Sequence, residues 1–207
     1  AMSDYPRQAS PSAFINRSIE TTYEPGSVMK AVTMAAGLNE DLIEPQTTMI
    51  DSGPIVVSGH SVDNWDGKHY GEETMVTVLQ HSNNIGAAWV GQKLGSQKLR
   101  DYFLKFGFGE PLQIDLEGES TGAVRPLREW RDIDLVTASF GQGISVTPLQ
   151  MLSAFATIAN DGLYQKPYLV SKVISQEREY LVKPSVSKKV INKSVAEVLV
   201  EMLSSAV

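Results

Sequence analysis

A serine and a lysine three positions apart, Ser27 and Lys30, are the residues of this sequence best suited to covalent chemistry. Pro25-Gly26 before them predicts a turn, and the apolar run that follows predicts a helix from Ser27 to Leu38. Residues three apart share one helical face, so the amine of Lys30 can reach the hydroxyl of Ser27. A serine needs a neighbouring base to become a nucleophile, and a lysine in an apolar setting can act as one. The pair is therefore a candidate site for acyl transfer.

The Ser-x-x-Lys pattern carries little information by itself. A second match runs from Ser185 to Lys188 in a polar stretch, where we attribute it to chance. In isolation, Ser27 and Lys30 would be most simply explained as a helix-capping serine and a solvated lysine. The apolar surroundings of Lys30 favour the catalytic interpretation, because a base that works near neutral pH requires a partly desolvated lysine; these neighbours are Met29, Ala31 and Val32.

A second polar group, Ser82-Asn83-Asn84, directly precedes a helix predicted from Ile85 to Leu94. Serine and asparagine are common helix caps, so a purely structural role explains the pattern about equally well. In the catalytic interpretation, Ser82 relays a proton while the amide of Asn84 fixes a substrate amide or the lysine. The two roles are compatible, because the start of a helix is a rigid place to hold polar groups.

Other chemically capable residues are assigned no role. His81 is adjacent to a serine, but neighbouring residues on a helix point in different directions and do not form a pair. His69 and Asp66 are placed at a surface hairpin tip, for which Asp66-Gly67 is the clearest turn signal. The turn Gly141-Gln142-Gly143 lacks the lysine and the spacing of a phosphate-binding loop. With only three scattered histidines, neither a cofactor nor a metal centre is expected.

The composition limits the possible functions. A chain of 207 residues that is 42% hydrophobic can bury the core of one domain. Its formal net charge of −6 argues against nucleic acid as a partner. The absence of cysteine excludes a disulfide scaffold and a thiolate zinc site. Beyond the candidate site, the sequence predicts further helices and strands. They are a helix capped by Ser96, a helix Leu149–Asn160 opened by Thr147-Pro148, strands Lys166–Ile174 and Glu179–Lys183, and a last helix from Ser194.

Four longer blocks of sequence resemble one protein family. They are Tyr23–Lys30, Ser82–Gly86, Asp115–Glu119 and Phe140–Gln150, and the last is the most specific. Together they resemble the transpeptidase domain of class B penicillin-binding proteins, whose motifs include Ser-x-x-Lys and Ser-x-Asn. The residue Glu24 is similar to the division-type (septal) branch of that family.

The resemblance implies a peptidoglycan D,D-transpeptidase that cross-links stem peptides and is acylated by β-lactams. By this analogy Ser27 attacks the penultimate D-Ala carbonyl and Lys30 is the base. Ser82 would pass the proton to the leaving group, and Asn84 would orient the substrate. Two alternatives remain: a β-lactam-binding sensor or scaffold domain without turnover, and a serine β-lactamase-like hydrolase. A hydrolase needs a group that activates water, and no residue of the sequence is an obvious candidate.

The family resemblance also implies an α+β (mixed) fold of the penicillin-binding/serine β-lactamase-like type, of which residues 1–207 form a partial domain. No Lys-Thr-Gly motif occurs in the chain. We therefore expect a nearly complete helical lobe, a central antiparallel sheet that lacks most strands, and an oxyanion hole that lacks one donor. The expected location is the extracytoplasmic face of the bacterial membrane, with the anchor outside this chain and division-complex proteins as partners.

Overall fold

Six α-helices frame the part of the protein that the computed structural model describes, namely residues 10–175, 178–183 and 188–206. They are α1 (Lys30–Asn39), α2 (Met75–Gln80), α3 (Asn84–Lys105), α4 (Asp132–Ala138), α5 (Pro148–Ala159) and α6 (Lys193–Ser204). Three short 3₁₀ segments accompany them: Pro11–Phe14, Gly26–Met29 and Leu127–Glu129. Across these described ranges, no helix combines the length and the apolar character needed to cross a membrane.

In the described part of the chain, eight short strands form four separate antiparallel pairs. They are β1 (Thr48–Asp51), β2 (Ile55–Val57), β3 (His60–Val62), β4 (Gly71–Thr74), β5 (Leu163–Tyr164), β6 (Lys172–Ile174), β7 (Glu179–Leu181) and β8 (Lys188–Lys189). The pairs are β1 with β4, β2 with β3, β5 with β8, and β6 with β7. Within the described residues no sheet exceeds two strands. The expected α+β class is confirmed.

Helix α1 lies at the centre of the core. Every residue from Lys30 to Leu38 is buried, so the helix has no solvent face. It packs against α3 and α6, and the contact with α3 is close at Gly37. A Cβ atom at Gly37 would lie 2.8 Å from the Val90 side chain. This crowding explains why a glycine stands at position 37, and the burial of the whole helix places its first residue, Lys30, in an apolar interior.

The predicted helix boundaries are confirmed with two refinements. Residues Gly26–Met29 form a 3₁₀ turn before α1, so the predicted start at Ser27 lies in that turn. The predicted break at Gly95 is present as a non-helical residue (φ 76°, ψ 160°), although the two helical segments join end to end as α3. The predicted cap of α5 is also present: Thr147 and Gln150 form reciprocal hydrogen bonds of 3.1 and 2.8 Å.

The hairpin prediction was wrong in its position. The hairpin turn is Ser58-Gly59, which joins β2 to β3, whereas Asp66-Gly67 lies in the loop between β3 and β4. Ser58 and Gly59 both have positive φ (50° and 81°), as a two-residue turn between twisted strands requires. The predicted strands near residues 166–174 and 179–183 are present but shorter, as β6 and β7. Ser185 of the second Ser-x-x-Lys match lies outside the described residues.

Truncation of the core residue Phe103 should destabilise the protein by about 3–5 kcal/mol, the usual cost of removing a buried aromatic side chain. Phe103 is fully buried and makes ring contacts with Phe108 and Trp130. Denaturant unfolding of Phe103→Ala measures the loss. Leu152→Ala is the matched control, because Leu152 is 64% exposed and its truncation should change stability by less than about 0.5 kcal/mol. Equal effects of the two substitutions would contradict this description of the core.

Candidate active site

The amine of Lys30 lies between two serines. Its Nζ atom is 3.2 Å from Ser27 Oγ and 3.0 Å from Ser82 Oγ, and it also donates to the backbone carbonyl of Ser82. Ser27 and Lys30 meet because the 3₁₀ turn and the first turn of α1 place them on one face, as the spacing predicts. Ser82 is 52 residues away in sequence, and only the tertiary fold brings it to the lysine.

Burial changes the acidity of Lys30. The residue is only 1% exposed, although Ser27 beside it is accessible to solvent. Desolvation disfavours the ammonium form and lowers the pKa of Lys30 from 10.5 to about 7. A substantial fraction of the amine is therefore neutral at physiological pH. A neutral amine 3.2 Å from a solvent-accessible hydroxyl can accept its proton.

Ser82 adopts an uncommon backbone conformation. Its φ of +52° is in the left-handed region, which serine rarely occupies. In this conformation both the carbonyl and the hydroxyl of Ser82 accept hydrogen bonds from Lys30. The residue follows α2 and precedes α3, so two helix ends fix the turn that holds it. Backbone strain of this kind is often found at functional sites.

The three residues line a cavity of about 220 Å³. Its polar atoms come from Ser27, Lys30 and Ser82, and the remaining wall is mainly apolar: Val28, Ala31, Leu79, Phe155, Leu203 and Ala206. A cleft with a few converging polar groups on an apolar wall is the usual form of a small-molecule site. Its shape permits a ligand carbonyl to approach Ser27 from solvent.

Asn84 takes a different position from the other three predicted site residues. It begins α3, and its Nδ2 atom donates to the carbonyl of Asp63 over 3.0 Å. It lines a second cavity, of about 410 Å³, together with Trp65 and Gln142. Within the described residues, the Asn84 side chain makes no hydrogen bond to Lys30. The suggested contact between Asn84 and the lysine is therefore not present, whereas contact with a substrate amide stays a prediction.

A glycine turn supports the loop that carries Ser27. The N–H of Gly26 donates to the carbonyl of Gly141 over 3.0 Å, and a Cβ atom at Gly141 would lie 2.2 Å from the Gly26 carbonyl oxygen. The carboxylate of Glu24 also accepts from the Gly143 N–H over 2.9 Å. The predicted structural turn at residues 141–143 therefore packs directly against the residue before Ser27. The spacing of residues in the sequence did not predict this contact between residues 24–26 and residues 141–143.

Sequence reasoning missed a polar network behind the Ser82 turn. Asp51 and Glu73 are 1% and 3% exposed, and both accept hydrogen bonds from the side chain of Asn83. Their position on paired strands, where acidic residues are uncommon, is the only signal that the sequence offered. His81 bonds Glu73 over 2.5 Å, so it lies outside any Ser–His pair, as expected from its position in sequence.

His69 likewise joins neither serine in the described structure. Its Nδ1 atom lies 3.5 Å from Asp51 and 3.7 Å from Asp63. Asp66, its proposed neighbour at a hairpin tip, instead accepts from Tyr70 and pairs with Lys68. No charge-relay arrangement of serine, histidine and acid is formed by these residues.

Comparison with known proteins gives the family. The whole chain, residues 1–207, matches the family described as "Penicillin binding protein transpeptidase domain". The chain is 35% identical over 196 residues to the stage V sporulation protein D of Bacillus subtilis, covering 93% of this chain and 30% of that protein. It is 31% identical over 193 residues to the peptidoglycan D,D-transpeptidase FtsI of Escherichia coli K12, covering 93% and 31%. The chain thus spans about a third of the length of these relatives.

A solved structure agrees with the sequence match. Penicillin-binding protein 3 of Mycobacterium tuberculosis, in complex with aztreonam, superposes with a TM-score of 0.85 at 29% identity, over 91% of this chain and 42% of that one. The expected fold type and the resemblance to division-type class B proteins are thereby confirmed. This chain belongs to the penicillin-binding protein transpeptidase domain family.

Proposed function

We propose that this chain carries the nucleophile of a peptidoglycan D,D-transpeptidase, and that Ser27 forms its acyl-enzyme. The observation that carries the proposal is the position of the Lys30 amine, which contacts the hydroxyls of both Ser27 and Ser82. The low pKa of Lys30, about 7, supports its role as the base. The name of the Escherichia coli relative supports the choice of reaction and substrate.

In the proposed acylation, Lys30 takes the proton of Ser27 as Ser27 Oγ attacks the penultimate D-Ala carbonyl of a stem peptide. Collapse of the tetrahedral intermediate breaks the peptide bond. Ser82 passes a proton from the lysine to the departing D-Ala amine. In the second half-reaction the amine of a neighbouring stem peptide attacks the ester carbonyl, and its proton passes through Lys30 to Ser27 Oγ as the ester bond breaks. The 3.0 Å contact between Lys30 and Ser82 supports this proton path.

Asn84 is assigned the role of orienting the substrate. One N–H of its amide is used by the Asp63 carbonyl, which fixes the direction of the side chain. Within the described residues, its second N–H and its carbonyl oxygen make no other hydrogen bond. An amide with one free donor and one free acceptor can pair with a peptide group of the stem peptide, as the adjoining 410 Å³ cavity permits.

We further propose that residues 1–207 are part of a larger transpeptidase domain at the extracytoplasmic face of the membrane, acting with division-complex proteins. The relatives' greater length supports the partial domain. So does a groove between α5 and α6, which is lined mainly by apolar side chains of both helices, among them Phe155 and Val200. The Lys-Thr-Gly strand and its oxyanion-hole donor are assigned to the part of the domain outside this chain, and removing one such donor typically costs about 10²–10³ in rate.

A fluorescent penicillin should label the full-length protein once per chain, at Ser27. Aztreonam, bound in the Mycobacterium tuberculosis structure, is a β-lactam, and such compounds are expected to acylate the same serine. Peptide mapping by mass spectrometry locates the adduct, and Ser185 in the second Ser-x-x-Lys match is the internal control. An adduct at another residue, or no adduct, would refute the assignment.

The lifetime of the adduct separates the alternatives. A transpeptidase or a sensor should retain the label for many minutes, whereas a serine β-lactamase-like hydrolase should release it and consume the drug. Cross-linking of added stem peptides then separates the transpeptidase from a sensor or scaffold domain, which would acylate without transferring the peptide. Rapid hydrolysis of the penicillin would replace the proposed function with the hydrolase.

A further inference from the structure

Two buried carboxylates lie directly behind the Ser82 turn. In the ladder of β1 and β4, Asp51 pairs with Gly71 and Met49 with Glu73. Asp51 and Glu73 are thus diagonal neighbours on the buried face of the strand pair. Carboxylates in such a position need hydrogen-bond donors, because burial without them is strongly unfavourable.

Asn83 donates to both carboxylates. Its Nδ2 atom is 2.7 Å from Asp51 Oδ2 and 2.5 Å from Glu73 Oε2. Its Oδ1 atom accepts from the N–H of Gly86 over 2.8 Å, which caps α3. Carboxylate oxygens only accept, so they determine which end of the amide faces them. Every polar atom of this fully buried side chain is therefore in use.

Further groups tie the same network to the turn. Asp51 also accepts from Asn64 Nδ2 over 2.8 Å and from the backbone N–H of Tyr70. Asn64 in turn accepts from the N–H of Asn84 over 2.8 Å. Residues on both sides of Ser82 are thus attached to the buried strand pair. The titratable groups that face the two carboxylates are the imidazoles of His81, at Glu73, and His69, at Asp51.

Ser82 itself lies between two anchored residues. His81 before it and Asn83 after it both bond the carboxylate of Glu73. A left-handed backbone conformation is energetically unfavourable for a non-glycine residue. It persists only where the surroundings determine it, and here the flanking side chains do so.

We infer that Asn83 is a positioning residue for the site. Anchored on the two buried carboxylates, it holds Ser82 in the left-handed conformation in which both Ser82 oxygens reach Lys30. This role rests on the proposed function, in which Lys30 must contact both serines at once. It assigns to the middle residue of Ser82-Asn83-Asn84 a task separate from those of its neighbours.

The test substitutes serine at Asn83. Asn83→Ser keeps a hydroxyl that can cap Gly86 but loses the amide that joins the carboxylates. The rate constant for acylation by a fluorescent penicillin should fall about tenfold, the size of effect expected from the loss of one or two hydrogen bonds. NMR of ¹³Cε-labelled lysine should show the Lys30 titration midpoint move by at least about half a pH unit, since its partner at Ser82 is displaced.

Three further variants separate positioning from folding. Thr74→Ala removes a comparable cap, that of α2, and should change neither readout. Glu73→Leu should reproduce both effects of Asn83→Ser, and Glu73→Gln, which keeps an acceptor for Asn83, should show smaller ones. If Asn83→Ser and Glu73→Leu lower only the thermal stability or the fraction of labelled protein, with rate constant and midpoint unchanged, Asn83 is structural and the inference fails.

The NMR measurement also separates this inference from the proposed function. A wild-type protein that no penicillin labels would refute the function of Ser27. The Lys30 titration would then still decide whether Asn83 controls the surroundings of the lysine. A midpoint shared by wild type and Asn83→Ser would overturn the positioning role in either case.

Discussion

Replacing Lys30 with arginine should reduce the rate constant for acylation by a fluorescent penicillin by about 10²–10⁴-fold, the range that a general base usually contributes. Arginine keeps the positive charge and much of the length, but a guanidinium does not lose its proton in proteins. The variant therefore distinguishes a role of Lys30 as a base from a role as a positive charge. Stopped-flow or gel-based labelling of the full-length protein gives the rate constant.

The same measurement across pH tests the cause of the effect. Because the neutral amine is the active form, the wild-type rate constant should rise with pH through a midpoint of about 7 and level off above it. Lys30→Arg should show no such rise near pH 7. Lys93→Arg is the control, because Lys93 is an exposed lysine that lies over the Trp89 ring. A wild-type profile that is flat through pH 7, or an unimpaired Lys30→Arg, would contradict the assignment of Lys30 as base.

Gly141→Ala should lower the acylation rate constant by about 10²-fold, the cost that a misplacement of about 1 Å can cause. The new Cβ atom would lie 2.2 Å from the carbonyl oxygen and 2.6 Å from the nitrogen of Gly26, so the backbone before Ser27 must move. Gly141 also has a φ of +82°, which disfavours alanine on its own account. Both effects act on the loop that presents the nucleophile.

A neighbouring glycine isolates the steric part of that effect. Gly143 has a similar φ of +74°, but a Cβ atom there would meet only Thr137 Oγ1, at 3.4 Å. Gly143→Ala should therefore show the conformational cost with little displacement of Ser27, and a much smaller loss of rate. Similar losses in the two variants would show that the clash with Gly26 is not what matters. Denaturant unfolding of both variants measures the conformational cost separately.

Local spacing predicted the parts of the site that depend on one turn of chain. Ser27 and Lys30 are three residues apart, and helical geometry alone brings them together. The apolar run after Lys30 likewise predicted its burial, and burial accounts for its low pKa. The helix caps at Thr147 and the break at Gly95 follow from the same short-range rules.

The rest of the site depends on contacts that no local pattern encodes. The register of β1 with β4 determines that Asp51 and Glu73 face Asn83, and each strand is only four residues long. The Asp66-Gly67 turn signal was misleading because the backbone N–H of Lys68, directly after it, donates to the Asp66 carboxylate instead of to a partner strand. The actual hairpin turn uses Ser58, a non-glycine residue with positive φ, which the sequence did not mark as a turn. Ser82 was a candidate because it belongs to a polar group just before a helix, but neither its contact with Lys30, 52 residues away, nor its left-handed conformation was predictable from local pattern.

The three acceptors around Lys30 limit where its proton can go. An ammonium has three N–H groups, and Ser27 Oγ, Ser82 Oγ and the Ser82 carbonyl match them one for one. A neutral amine has only two, so one partner must become a donor. The carbonyl cannot reverse its role, but either hydroxyl can. When Lys30 loses a proton, the hydroxyl of either Ser27 or Ser82 must therefore donate its hydrogen to the amine. The backbone carbonyl of Ser82 cannot donate, so these two hydroxyls are the two alternatives among the three partners.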